Sequence, residues 1–186
     1  PALNGAPIDG PELDRLACEV RQQLSPGLAF TERVPLAKLR KSVRIEGLCG
    51  AFDVRARGHA GLPMHVYAVT LFDMGAQLAW IWLHRFAWAE LPRDVERTRF
   101  SVGHELGMIA LFATELDGLD VRAEPEHYAQ IKRAARLFAG HLLVPDQALK
   151  RLPEADEQQL MARFGVGLVT AQRRLAEWKG QLMSGG

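Results

Sequence analysis

Strand-like and helix-like patterns are segregated along this chain, and that segregation constrains the fold more than any other feature. Residues 43–54, 66–72 and 77–84 are rich in β-branched and aromatic side chains. Gly58, Gly61-Leu62-Pro63 and Asp73-Met74-Gly75 punctuate them with the residue types that turns require. From Arg97 onward, apolar residues recur only at helical spacing. Phe100, Leu106, Ile109 and Ala110 mark one long helix, expected to end near Asp117-Gly118. Ile131, Ala134, Ala135, Phe138 and Leu142 line a second helix from about Glu126 to Leu143, closed by Pro145. Ahead of the strands, Leu13, Leu16, Ala17, Val20 and Leu24 predict a helix over 11–24, stopped by Ser25-Pro26-Gly27. A short basic helix is expected over 35–41, and an irregular stretch over 87–94 around Pro92. Segregated strands and helices predict an α+β fold with a small, mostly antiparallel sheet.

The first ten residues are rich in Pro and Gly and read as a flexible leader. Residues 11–150 form the expected main domain. Residues 151–186 form a helical tail, with two helices broken at Phe164-Gly165-Val166-Gly167, and this pattern resembles a helix-turn-helix. Leu160, Phe164, Val166, Ala171 and Leu175 would be its small core, with Arg163, Gln172, Arg173, Arg174 and Lys179 on the outside.

The balance of 23 basic and 22 acidic residues gives a net charge of +1, which argues against wholesale nucleic-acid or membrane-surface binding. Cys18 and Cys49 are too few for a disulfide framework and read as reduced thiols of a cytoplasmic protein. No apolar run reaches the roughly 18 residues of a membrane span. Residues 77–90 come nearest, but His84 and Arg85 interrupt them. The N-terminal residues lack the basic and apolar regions of a secretory signal.

The segment with most chemical content is Arg97-Thr98-Arg99-Phe100-Ser101-Val102-Gly103-His104-Glu105-Leu106-Gly107-Met108. In a zinc-peptidase helix, H-E-x-x-H places two imidazoles one turn apart on one face, where both reach one metal. The intervening Glu then acts as general base on the bound water. Here the first His and the Glu are present, but the fifth position is Met108. Its thioether is a soft, neutral donor suited to copper(I) rather than zinc. About thirty residues on stands Ala135-Arg136-Leu137-Phe138-Ala139-Gly140-His141-Leu142-Leu143-Val144-Pro145.

With these two motifs in order, the chain resembles the ImmA/IrrE family of bacterial metallopeptidases over most of its length beyond residue 10. The resemblance implies a zincin-like, thermolysin-like fold, with the sheet packed on the HExxH-type helix. It also implies zinc held by two His of that helix and a Glu of the next, and a helix-turn-helix repressor as substrate. Carried over position by position, His104 matches the first metal ligand and Glu105 the general base. Met108 stands at the second ligand and Lys132 at the third, and Arg136 replaces an Asn. His104 and Glu105 are therefore read as vestigial, and no cofactor is expected. One further expectation follows. Stripping the zinc away would leave Glu105 buried and unpartnered, which is costly, and the Lys132 ammonium would take the metal's place beside it.

A rebuilt zinc site is disfavoured. His141 lies nine positions after Lys132, about 180° around the helix, and His127 is roughly 140° off that face. Glu115, Asp117, Glu124 and Glu126 lie in or near the connecting loop, and Glu115 is about 10 Å from Met108 along the axis. Alternation puts Trp80, Trp82 and His84 on one strand face and Ala79, Ile81 and Leu83 on the other. The first set reads either as core or as a partner-binding, peptide-accepting edge.

The sequence thus predicts a catalytically impaired, regulatory pseudopeptidase that binds a protein partner, such as a transcriptional repressor, through the former substrate cleft. One alternative is an active zinc peptidase cleaving such a repressor. Another is a DNA-binding module acting through Arg173 and Arg174 of the tail, a weaker reading because a near-neutral chain releases few counterions.

Overall fold

A computed structural model describes residues 10–47, 50–112 and 125–184. The leader over 1–9, Cys49, the carboxylates Glu115, Asp117 and Glu124 and the expected helix end at Asp117 lie outside the described residues, as does the His127 side chain.

The fold is mixed α+β. Helix α1 (Gly10–Leu24) is followed by a short 3-10 turn (Leu36–Arg40) and then strands β1 (Val43–Gly47), β2 (Gly50–His59), β3 (Ala68–Asp73) and β4 (Leu78–His84). Helices α2 (Arg85–Glu90), α3 (Glu96–Phe112), α4 (Pro125–Leu143), α5 (Asp146–Arg151), α6 (Glu157–Phe164) and α7 (Leu168–Ser184) complete the chain. The sheet-like stretch 43–54 is divided between β1 and β2. The expected irregular region after β4 opens with α2, where the His84 ring accepts a hydrogen bond from the Phe86 N–H.

The strand order is β1-β2-β4-β3. The β1–β2 and β3–β4 pairs are antiparallel and β2–β4 is parallel, so the sheet is mostly antiparallel, as expected. One sheet face carries Ile45, Phe52, Val54, Ala79, Ile81 and Leu83 into the core against the helices. The alternate residues, including Trp80 and Trp82, lie on the opposite face.

Strand β4 is therefore an inner strand, which corrects the expectation that it offers a peptide-accepting edge. Its backbone is engaged by β2 on one side and β3 on the other. Trp80 and Trp82 are half-buried; Arg55 lies over Trp80 and the His59 ring stacks on Trp82 at 4.2 Å. His84 is buried and caps α2. The open edge on this side of the sheet belongs to β3.

Helices α3 and α4 cross closely, and two small-residue pairs explain why. A Cβ on Gly107 would stand 2.9 Å from the Ala135 carbonyl oxygen and 2.9 Å from the Phe138 ring. One turn earlier, a Cβ on Gly103 would meet Ala139 at 3.4 Å. This near-backbone contact brings the groove-facing residues of α3 opposite those of α4.

Helices α6 and α7 are joined by three residues, with Gly165 in the left-handed conformation at φ +62°. Asp156 opens α6 with a capping box: its side chain accepts from the Gln159 N–H, and the Gln159 side chain accepts from the Asp156 N–H. Leu160, Phe164, Val166, Ala171 and Leu175 are buried, as their spacing predicts. Among the described residues, no helix is long and apolar enough to cross a membrane.

Candidate functional site

An open groove of about 850 Å³ runs between the β3 edge and helices α3 and α4. His104, Glu105 and Met108 line it from α3, Lys132 and Arg136 from α4, and Thr70 from β3. The two motif-bearing helices thus bring together the residues at the five matched positions, His104 and Glu105 that keep the resembled pattern and Met108, Lys132 and Arg136 that depart from it.

Glu105 is buried, and its carboxylate is held from the strand rather than from α4. The Thr70 hydroxyl donates to it at 2.7 Å, and the Thr70 backbone N–H donates as well. Burial raises the Glu105 pKa above the ordinary carboxylate range, and the Thr70 donors and the Lys132 charge oppose that rise. The expectation that Lys132 sits where a metal would and pairs directly with Glu105 is corrected accordingly. Lys132 is exposed, its ammonium lies 4.6 Å from the Tyr128 ring centroid, and it acts on Glu105 only across the groove. A rigid strand donor was already available to satisfy the carboxylate, so a flexible lysine was not required.

His104 is half-buried, and its Nδ1 is buried without a hydrogen-bond partner among the described residues. Burial, then Arg136, then Lys132 lower its pKa to about 4, so the ring is neutral at neutral pH. Met108 is 7% exposed and belongs to the core cluster as well as to the groove wall.

These residues do not fit a resident zinc ion. Zinc takes about four N, S or carboxylate donors. Among the described groove residues His104 has a buried, unpartnered nitrogen and His65 adds an exposed imidazole from the loop before β3, the carboxylate is engaged by Thr70, and the remaining matched positions are a thioether and two cations. Lys132 and Arg136 already disfavour a positive charge on His104 and would oppose a dication more strongly.

The second polar cluster lies elsewhere, and the sequence reading missed it. Asp14 of α1, His141 of α4 and Asp146 of α5 bring their ligand atoms within 4.8 Å of one another. His141 Nδ1 is 3.1 Å from Asp14, and the Asp146 N–H donates to the same Asp14 oxygen at 2.9 Å. The guanidinium of Arg174, from α7, fills this cluster. It pairs with Asp146 and with Glu177, approaches His141 Nε2 at 3.3 Å and donates to the Val144 carbonyl at 3.0 Å. The carboxylates are thus answered by a buried cation, and the cluster ties α1, α4, α5 and α7 together.

This placement corrects the tail reading. Arg174, expected on the outside as a nucleic-acid contact, is 1% exposed. Arg173 is exposed and pairs with Glu177 at 3.0 Å. The signal was present in the spacing: Arg174 is three residues after buried Ala171 and adjacent to buried Leu175. Arg21 and Arg99 are likewise fully buried, capping carbonyls such as Leu142 and Glu32 for Arg21 and Val34 for Arg99.

Residues 92–176, from the turn before α3 into α7, match the family model of the IrrE N-terminal-like domain. Over these residues the chain is similar to that domain. The match includes both motif helices and therefore all the groove residues contributed by α3 and α4. No curated protein matches the chain. Among solved structures it is similar to a Mycobacterium tuberculosis transcriptional regulator, with 17% sequence identity and a TM-score of 0.54. The alignment covers 89% of this chain and 47% of that one, so the chain spans about half the length of this neighbour. At that identity the likeness concerns the fold alone.

Proposed function

We propose that this IrrE-like protein is a regulatory pseudopeptidase, which binds a protein partner such as a transcriptional repressor in the groove between β3, α3 and α4 without cleaving it. The observation that carries this reading is the substitution of Met108 and Lys132 at the second and third ligand positions of the resembled zinc site, on a groove that is otherwise open. A zincin-like scaffold with two of three ligands replaced keeps its shape, because the helix crossing depends on Gly103, Gly107, Ala135 and Ala139 and not on metal. Regulation would then follow from sequestering or displacing the partner.

Two measurements test the reading. Elemental analysis after dialysis against zinc should find no stoichiometric metal; a full equivalent of tightly held zinc would restore the active-peptidase alternative. In cells, Glu105→Gln should leave function nearly intact, since the carboxylate has no bond-breaking role here. Complete loss of function in a folded Glu105→Gln protein would count decisively against a non-cleaving mechanism. The helix-turn-helix reading of α6–α7 has less support, because Arg174 is consumed inside the protein and only Arg173 of the expected pair faces solvent.

A further inference from the structure

The groove carries an electrostatic imbalance. Among its described lining residues Glu105 is the one carboxylate, and Thr70 holds it with two donors. Opposite stand Lys132 and Arg136, four residues apart on one face of α4, both exposed and both lining the groove. Two cations therefore face an open space in which, among the described lining residues, the one carboxylate is already engaged.

The β3 edge supplies the second observation. Tyr67 accepts from the His84 N–H, which fixes the alternation of the β3–β4 ladder. With Ala68 opposite Leu83 and Thr70 opposite Ile81, the backbone groups of Ala68 and Thr70 point away from β4, toward the groove. The Thr70 N–H bond to Glu105 agrees with that direction and occupies that donor, so pairing with a peptide would use the Ala68 groups and the Thr70 carbonyl. An edge with outward backbone groups recognises extended peptide through main-chain hydrogen bonds, while side-chain pockets supply specificity.

We infer that the groove seats an extended acidic segment of a partner protein, laid along the β3 edge with a carboxylate side chain between Lys132 and Arg136. This rests on the proposed partner-binding role of the groove and adds the chemistry of the partner. A nucleic acid fits less well: two cations offer little counterion release, and a strand edge reads peptide backbone.

The test uses the full chain and a fluorescently labelled peptide of about ten residues alternating glutamate and threonine, long enough to cover one strand. Its counterparts carry glutamine or lysine in place of glutamate. The acidic peptide should bind at least about tenfold more tightly than the glutamine peptide, with the preference shrinking between about 50 mM and about 300 mM salt. Combined Lys132→Glu and Arg136→Glu should abolish the preference. Arg133→Glu, the same kind of charge reversal at a single exposed residue outside the groove, should preserve most of it, whereas Lys132→Glu alone, an equal charge change inside the groove, should weaken it. All three positions are exposed, so the variants should fold, and circular dichroism checks this. Amide shifts of β3 and α4 in NMR spectra locate the bound peptide. If the glutamine peptide shifts the groove amides and binds as tightly as the acidic one, the groove reading stands and the acidic inference fails. If no peptide shifts groove amides, both fail. Displacement of the acidic peptide by a short single-stranded oligonucleotide at equal concentration would overturn the assignment to protein.

Discussion

The Thr70 hydroxyl and the Glu105 carboxylate form a 2.7 Å hydrogen bond that joins the edge strand β3 to the motif helix α3. In the resembled peptidases the residue at this position serves a metal-bound water. Here the bond joins sheet to helix, and its strength can be measured as stability. Thr70→Val should destabilise the protein by about 1–3 kcal/mol, because the largely buried carboxylate loses its side-chain donor. Adding Glu105→Leu to that variant should recover part of the loss, since removing both partners is less costly than removing one. Urea denaturation of the two single variants and the double variant completes the cycle. Strictly additive losses would mean the pair is not coupled.

Arg174 and Arg173 should behave oppositely although they are adjacent. Arg174→Met leaves Asp146 buried without its cation and should cost about 3–5 kcal/mol, the range for breaking one side of a buried ion pair. Arg173→Ala removes an exposed pair with Glu177 and should change stability by less than about 1 kcal/mol. Any loss of DNA association in an Arg174 variant would therefore report misfolding, and only Arg173 is a fair probe of the tail's surface.

The contrast between these neighbours shows what the sequence made legible. The helical tail, the two motif helices and the strand region could be read from apolar spacing, because burial of Phe138 or Leu160 follows from hydrophobicity alone. Arg174 was placed outside with the other cations of the tail, and it is buried; apolar spacing is silent on Asp14, Arg21 and Arg99, which are likewise buried beside partners distant in sequence. Asp14 and Arg174, separated by 160 positions, meet only because α1 and α7 pack around the same helices. Likewise Thr70 carries no motif; its role depends on β3 lying at the sheet edge beside α3, a matter of strand order that local patterns do not encode. The groove residues His104, Glu105, Met108, Lys132 and Arg136 were legible as a set through the resemblance, whereas the bond that satisfies Glu105 was not.

The Asp14 cluster should make stability fall in acid. Burial alone would raise the Asp14 pKa, but the His141 ring, the Asp146 N–H and the Arg174 charge outweigh it and leave the carboxyl below its ordinary 3.8. A folded-state pKa below the unfolded value means the contribution is complete above about pH 4 and is lost as pH falls through the lower, folded value. Asp14→Asn should flatten the dependence of the denaturation midpoint on pH below about pH 4. An unchanged acid limb would show that other carboxylates carry it.

Zinc binding should return when the two replaced positions are restored together. Met108 and Lys132 both line the groove with His104, so Met108→His with Lys132→Glu supplies two imidazoles one turn apart and a carboxylate from the facing helix. The same change removes one of the two cations opposing a dication. Elemental analysis should then show about one zinc per chain. A folded double variant that takes up none would mean that these positions do not converge on one point.

Gly107 sets the geometry on which that convergence depends. By helix propensity alone, Gly107→Ala should stabilise α3 by up to about 1 kcal/mol. The added Cβ would, however, stand 2.9 Å from the Ala135 carbonyl oxygen and 3.0 Å from the Ala135 Cα, which are backbone atoms that cannot swing aside. Relief requires α3 and α4 to move apart, and overpacking of this kind costs about 1–3 kcal/mol. The steric cost should win, with a net loss of stability in denaturant titration. Because the separation also shifts Lys132 and Arg136 relative to His104, Gly107→Ala should weaken binding of the acidic peptide, although it changes no charge and contacts no ligand. A more stable Gly107→Ala protein with unchanged peptide affinity would show that the two helices are not held at backbone contact.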